Sequence, residues 1–155
     1  MRAEFRKTLQ PIDVLLAFLG VQRGQALRES EARYASLVAS LREGILVRER
    51  DDTISACNPG TERIFGLPQQ SILGRATLLP DVQYINTDGT PFDVNLQPGH
   101  LALTTGGPAD DVEFGVLRSD GSSRWVVASA RPLFRDGESV PHAAVVSLND
   151  ITDRR

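Results

Sequence analysis

Three strand-like runs in succession near the end of the chain constrain its fold more than anything else in it. After residue 109 the sequence reads "DDVEFGVLRS", "DG", "SSRWVVASARPLF", "RDGES" and "PHAAVVSLND". Runs rich in Val, Phe, Trp and Ala, separated by Asp-Gly turns, are antiparallel strands joined by hairpins, because short turns connect only antiparallel neighbours. The last third is therefore a three-stranded meander, and the rest of the chain must supply something to cover it.

Register in the first hairpin depends on its turn. A plain two-residue "DG" turn pairs Trp125 with Val116, whereas a three-residue loop with a Gly bulge pairs Val126 with Phe114 and Ala128 with Val112. The bulged form keeps Val112, Phe114, Val126, Ala128 and Ala130 on one face and is adopted here. A slip of one residue would exchange the faces. In the last run Ala144, Val146 and Leu148 share a side and are expected to face the covering helices, leaving Ala143, Val145, Ser147 and Asn149 on the other.

Upstream, "GILVRER" and "DDTIS" read as a hairpin turning at Asp51-Asp52, with Ile45, Val47 and Ile54 as its apolar positions. A short helix follows: Asn58 caps it, Pro59 suits its first turn, Ile64 and Phe65 anchor it, and Gly66 supplies the left-handed end. "QSILGR" makes one more turn. Residues 76–97, with several prolines and "TDGT", read as mostly loop. A helix over residues 97–105 ends at Gly106-Gly107-Pro108.

The N-terminal part is helical in pattern over residues 11–41, starting at Pro11 and interrupted by Gly20 and Gly24, each of which costs about 1 kcal/mol relative to Ala in a helix. Leu15, Leu16, Phe18 and Leu19 form a dense apolar face. Beyond Gln25, Leu27, Tyr34 and Leu41 recur at seven with Leu37 between them, a short coiled-coil-like seam. Such a stripe serves equally as a cap on its own sheet or as a dimer helix. Trp125 and Val127, placed beside Val145 on the outer face, need such a cover, since large exposed apolar patches are unusual on soluble monomers.

Composition narrows the function. A chain of 155 residues with 41% hydrophobic and 24% charged side chains supports one domain with attachments. The net charge of −3 leaves no basic surface for nucleic acid. The stretch "PIDVLLAFLGV" falls short of the roughly 20 apolar residues that span a bilayer. Cys57 is the single cysteine, so no intrachain disulfide or thiolate cluster forms, and a cytoplasmic location is expected.

Taken together, the hairpin, "CNPGTERIFG", "SILGR", "RSDGSSRWVVASARPLF" and the closing "DIT" resemble a PAS domain over residues 31–155. The resemblance implies an α+β fold: a five-stranded antiparallel sheet in order 2-1-5-4-3 with short helices on one face. Residues 43–152 would be the PAS domain, residues 1–42 an N-terminal helical extension, and residues 153–155 the start of a linker to an output domain. That output, by family analogy, is a diguanylate cyclase or histidine kinase of a bacterial signalling protein.

The same resemblance implies a ligand pocket at Leu96, His100, Leu103, Phe114, Val126, Ala128, Ala130 and Val146. The small residues Ala128, Ala130 and Ala144 either admit the helix closely or leave a cavity. Leu27, Tyr34, Leu37, Leu41, Trp125 and Val127 become the dimer contact or sheet cap, implying a homodimer, and Asp150, Ile151 and Thr152 the relay into the exit linker.

The cofactor is unknown. Haem is disfavoured, because haem-binding members carry the ligating histidine earlier, near Asn95, and not at His100. A cysteine-linked flavin needs a cysteine that "GRATLLP" lacks, and Cys57 reads as a small buried thiol at a strand end. No enzyme is expected: the acids of "DDVE" and "RERDD" are read as solvated turn or edge positions and His142 as exposed. Ser30, Ser36 and Ser40 have no base, and "TTGGP" lacks a phosphate-binding lysine.

Overall fold

The computed structural model describes residues 28–75 and 82–154. Helix α1 (Arg28–Ser40) leads into the hairpin of β1 (Gly44–Glu49) and β2 (Ile54–Cys57), then α2 (Pro59–Phe65). After a 3-10 turn (Gln69–Ser71) come β3 (Gln83–Ile85), a second 3-10 turn (Val94–Leu96) and α3 (Pro98–Thr105). Strands β4 (Ala109–Leu117), β5 (Ser123–Leu133) and β6 (Ala143–Asp150) complete the chain, which leaves through a 3-10 turn at Thr152–Arg154.

The sheet has six antiparallel strands in order β2-β1-β6-β5-β4-β3. Five of them stand as expected. The sixth, β3, lies in the stretch read as loop and pairs with the far side of β4, Tyr84 opposite Val116. Three residues between proline- and glycine-rich segments leave too short a run for alternation to register.

The bulged register is the one adopted. Val112 lies opposite Ala128 and Phe114 opposite Val126. Asp120 and Gly121 sit in a three-residue loop closed by the Arg118 N–H on the Ser122 carbonyl, and Gly121 takes φ +87°. That left-handed backbone is what a glycine-bulge loop requires. Outer-face neighbours differ in one detail: Val145 faces Arg131, while Val127 faces Asn149.

Both faces of the sheet bury apolar side chains. The inner core joins Leu46, Ile54, Phe114, Val126, Ala128, Ala130, Ala144, Val146 and Leu148 to Ile64 and Phe65 of α2 and Ala102 of α3. On the outer face Ile45, Val47, Ala143 and Val145 meet Val38 of α1, with Leu41 and Leu133 alongside. The apolar positions of the first hairpin therefore serve two faces, Ile54 inward and Ile45 and Val47 outward.

Asn58 locks this arrangement. Its Oδ1 accepts from the Ile45 N–H (2.8 Å) and the Thr61 N–H (3.1 Å), capping α2, while Nδ2 donates to the Val38 (2.9 Å) and Glu43 (3.0 Å) carbonyls. One buried amide thereby ties α1, β1 and α2 together. Gly66 closes α2 with φ +70°.

Candidate functional site

The space where a pocket was expected is largely filled. Phe114, Val126, Ala128, Ala130 and Val146 come together in the inner core, Leu103 is half-buried against it, and His100 is half-buried on α3. Leu96 does not join them. It lies in the 3-10 turn before α3, 51% exposed, because Pro98 starts the helix two residues later. Ala102, Ala128, Ala130 and Ala144 are fully buried, so the small side chains admit close approach of the helix. Tyr84 and Phe92, from the stretch read as loop, fill the rest in an aromatic chain. Ring centroids are 6.5 Å apart for Phe65–Tyr84, 5.6 Å for Tyr84–Phe114 and 5.0 Å for Phe92–Phe114.

A cavity of about 30 Å³ remains beside this chain. Its apolar end is Leu46, Ile54, Phe65, Val146 and Leu148, and its polar end is Arg48, Tyr84 and Gln97.

Arg48 is the functional-looking residue that pattern reading passed over. It is 5% exposed; Nε and Nη2 donate to Asp52 Oδ1 at 3.2 and 2.8 Å, and Nη1 reaches Gln97 Oε1 at 3.4 Å. Gly99 makes room, since a Cβ there would stand 3.0 Å from Arg48 Cδ. Strand alternation was the available signal: Arg48 is in phase with inward-facing Leu46. Asp52, at φ +73° in the hairpin turn, is accordingly a partner to a buried cation and not simply a solvated acid. Burial pushes the Tyr84 hydroxyl far above the ordinary phenol range, against weaker pulls from Arg48 and Gln97, so it acts as a neutral donor.

The acids of β4 stand as expected: Asp110, Asp111 and Glu113 are exposed, and Asp110, which pairs with Arg131 at 2.6 Å, lies outside the three residues of β4 that β3 covers. His142, expected to be exposed, is half-buried with a buried Nδ1 lacking a hydrogen-bond partner, because its N–H bonds to the Leu133 carbonyl at 2.9 Å and draws it against β5. Cys57 ends β2 half-buried, and burial with the nearby Glu62 carboxylate raises its thiol to about 11. Among the described residues no three His, Cys, Asp or Glu side chains cluster as a metal site.

On the outer face α1 packs through Val38 against Ile45 and Val47 of β1 and Ala143 and Val145 of β6. The seam residues do not act as one stripe: Val38 is the buried contact, Leu41 is half-buried and Leu37 is 47% exposed. Leu27 and the Tyr34 side chain lie outside what the structure describes. Trp125 and Val127 are half-buried on β5; Trp125 lies over Gly115, where an added Cβ would be 2.8 Å from its Cζ3.

The exit turn is bonded to the same tryptophan. The Trp125 N–H donates to Thr152 Oγ1 at 2.9 Å, and the Ile151 N–H donates to the Trp125 carbonyl at 2.7 Å. Asp150 Oδ1 accepts from the Thr152 N–H (2.9 Å) and hydroxyl, and Oδ2 lies 3.8 Å from Arg124. A polar groove of about 450 Å³ adjoins this turn. Arg42, Arg63 and Arg124 line it against Glu43, Asp150 and Asp153, a charge balance that selects neither anions nor cations.

The family model described as "PAS fold" matches residues 38–155. No curated protein sequence matches the chain. Among solved structures, the PAS domain of a Colwellia psychrerythraea protein is similar at TM-score 0.60 and 18% identity, covering 79% of this chain and 98% of that one. The PAS domain of an HTR-like protein from Haloarcula marismortui matches at 0.57 and 21%, with 82% and 96% covered. That of nitrogen regulation protein NR(II) from Vibrio parahaemolyticus matches at 0.56 and 13%, with 76% and 96% covered. Among the described residues no helix is long and apolar enough to cross a membrane. Sheet order, inner helices and the exit turn bonded to β5 agree with the family match, and the chain belongs to the PAS fold family.

Proposed function

We propose that this PAS domain is a sensory, dimerising module that relays a change at its sheet to the segment after Thr152. The observation that carries the reading is the double role of Trp125. Its half-buried side chain lies on the outer face apart from the cluster that α1 packs against, and its backbone holds the exit turn from both sides. A contact there displaces β5, and the exit moves with it. The contact is a second copy, meeting through Trp125, Val127, Leu37 and Leu41. The input is a partner or a small molecule acting on the inner face near His100, Leu103 and Phe114. The output is a covalently attached diguanylate cyclase or histidine kinase, named by analogy within the family. In support, the same fold occupies 36% of the chain of an RNA-binding Light-Oxygen-Voltage Receptor, as one part of a longer protein.

Sedimentation combined with amide exchange tests this. The full chain sediments as a dimer, Val127→Glu shifts it to monomer, and the Ile151 amide exchanges more slowly in the dimer. A monomeric wild type removes the dimer contact, and equal Ile151 exchange in both states removes the relay.

A second reading is a ligand-free PAS scaffold used only for dimerisation or docking. The filled inner face favours it, since only a small cavity of about 30 Å³ remains there and a sizeable ligand enters only by displacing side chains. Native mass spectrometry separates the two: a reproducibly bound small molecule supports sensing at the inner face, and repeated ligand-free preparations support the scaffold.

A further inference from the structure

We propose that the apolar stretch at residues 11–21 docks onto its own domain, in a groove between α1 and the edge strand β2. The groove holds about 200 Å³, and its walls are Ala35, Val38 and Ala39 of α1, Ile45 of β1, and Ala56 and Cys57 of β2. Such walls recognise aliphatic side chains and offer little to a polar ligand.

Two observations single out the occupant. Among α1 residues with described side chains, Val38 is buried and Ala35, Leu37 and Ala39 are exposed, which is thin support for 13 residues. Helices of that length are marginal without tertiary packing. Immediately upstream lies "PIDVLLAFLGV", with Leu15, Leu16, Phe18 and Leu19 in five positions and Gly20 and Gly24 after them.

The reach is sufficient. The groove wall on α1 runs from Ala35 to Ala39, about 10 to 16 Å along the helix from Arg28. Residues 22–27 extend up to about 20 Å, and the two glycines permit the reversal. A tether this short gives an effective concentration in the millimolar range, which favours the chain's own segment over a second copy's. The groove lies on the β2 side of α1 and has none of Trp125, Val127, Leu37 or Leu41 in its walls, so the inference stands independently of the dimer reading.

Cys57 lines the groove as the single cysteine and serves as the reporter. Leu15→Cys, Leu16→Cys and Leu19→Cys, made one at a time in the full chain, are oxidised with diamide beside a Thr8→Cys control. At least one of the three should form an intrachain disulfide with Cys57 ten-fold or more faster than the control, at a rate independent of protein concentration. A disulfide joining two chains, at a rate rising with concentration, would overturn the proposal in favour of a second copy. Rates equal to the control overturn docking altogether. A second measurement needs no new cysteine: with Leu16→Gln and Leu19→Gln combined and the unfolding midpoint checked, Cys57 alkylation by iodoacetamide should rise five-fold or more, and an unchanged rate refutes the inference.

Discussion

Replacing Asn58 by Asp separates two roles that one side chain performs. Aspartate caps a helix about as well as asparagine, so the acceptor bonds to the Ile45 and Thr61 N–H groups survive. What is lost is the amide's donation to the Val38 and Glu43 carbonyls at 2.9 and 3.0 Å. A carboxylate oxygen would instead face two carbonyl oxygens at a site 5% exposed. Two lost buried bonds at about 1 kcal/mol each, with a further contribution from acceptors left facing one another, come to about 3 kcal/mol. Asn58→Ala loses the cap as well, about 1 kcal/mol more. In urea, with a slope of about 2 kcal/mol/M, the Asp variant's midpoint falls by about 1.5 M. A shift under about 0.3 M with an unchanged slope would show that the junction of α1, β1 and α2 does not depend on that amide.

Arg48 and Asp52 should respond unequally to substitution. Asp52→Asn leaves a buried guanidinium without its carboxylate and should cost about 3 kcal/mol, whereas Arg48→Met leaves a half-exposed carboxylate in water and should cost under about 1.5 kcal/mol; equal costs in urea unfolding would contradict this. Gly115→Ala forces the Trp125 ring aside, since the new Cβ would meet Trp125 Cζ3 and Ile85 Cγ1 at 2.8 Å. A shifted emission maximum from this single tryptophan and a loss of about 1–2 kcal/mol are expected, and unaltered fluorescence would refute the packing. The Cys57 thiol, raised to about 11, stays protonated at neutral pH, so its alkylation rate should climb about ten-fold per pH unit from pH 7.5 to 9.5. A plateau below pH 9 would contradict that.

Alternation and turn chemistry are local, and what depends on them was legible in the sequence. The Asp120-Gly121 loop sets the β4–β5 register, so Val112, Phe114, Val126, Ala128 and Ala130 share the inner side as expected. Asn58, Pro59 and Gly66 likewise mark both ends of α2 without reference to the rest of the chain. Short elements and long-range pairings were not legible. Strand β3 has three residues and exists because β4 offers it an edge. Tyr84 and Phe92 fill the inner face because the loop that carries them folds over it, which no local pattern encodes.

The seam on α1 marks the same boundary. Spacing by seven identifies an apolar helix, but the sheet's outer face selects Val38 for burial and leaves Leu37 in water. Arg48 shows it most clearly: period-two alternation turns the side chain inward, yet its partners Asp52 and Gln97 are brought together by a hairpin turn and by the start of α3, 49 residues from Arg48 at Gln97. By itself the sequence determined the five longer strands, the caps, the turns and the strand faces, because these depend on neighbours a few bonds away. Tertiary structure alone decided which side chains fill the interior and which buried charge finds a partner, because burial is a property of distant segments meeting.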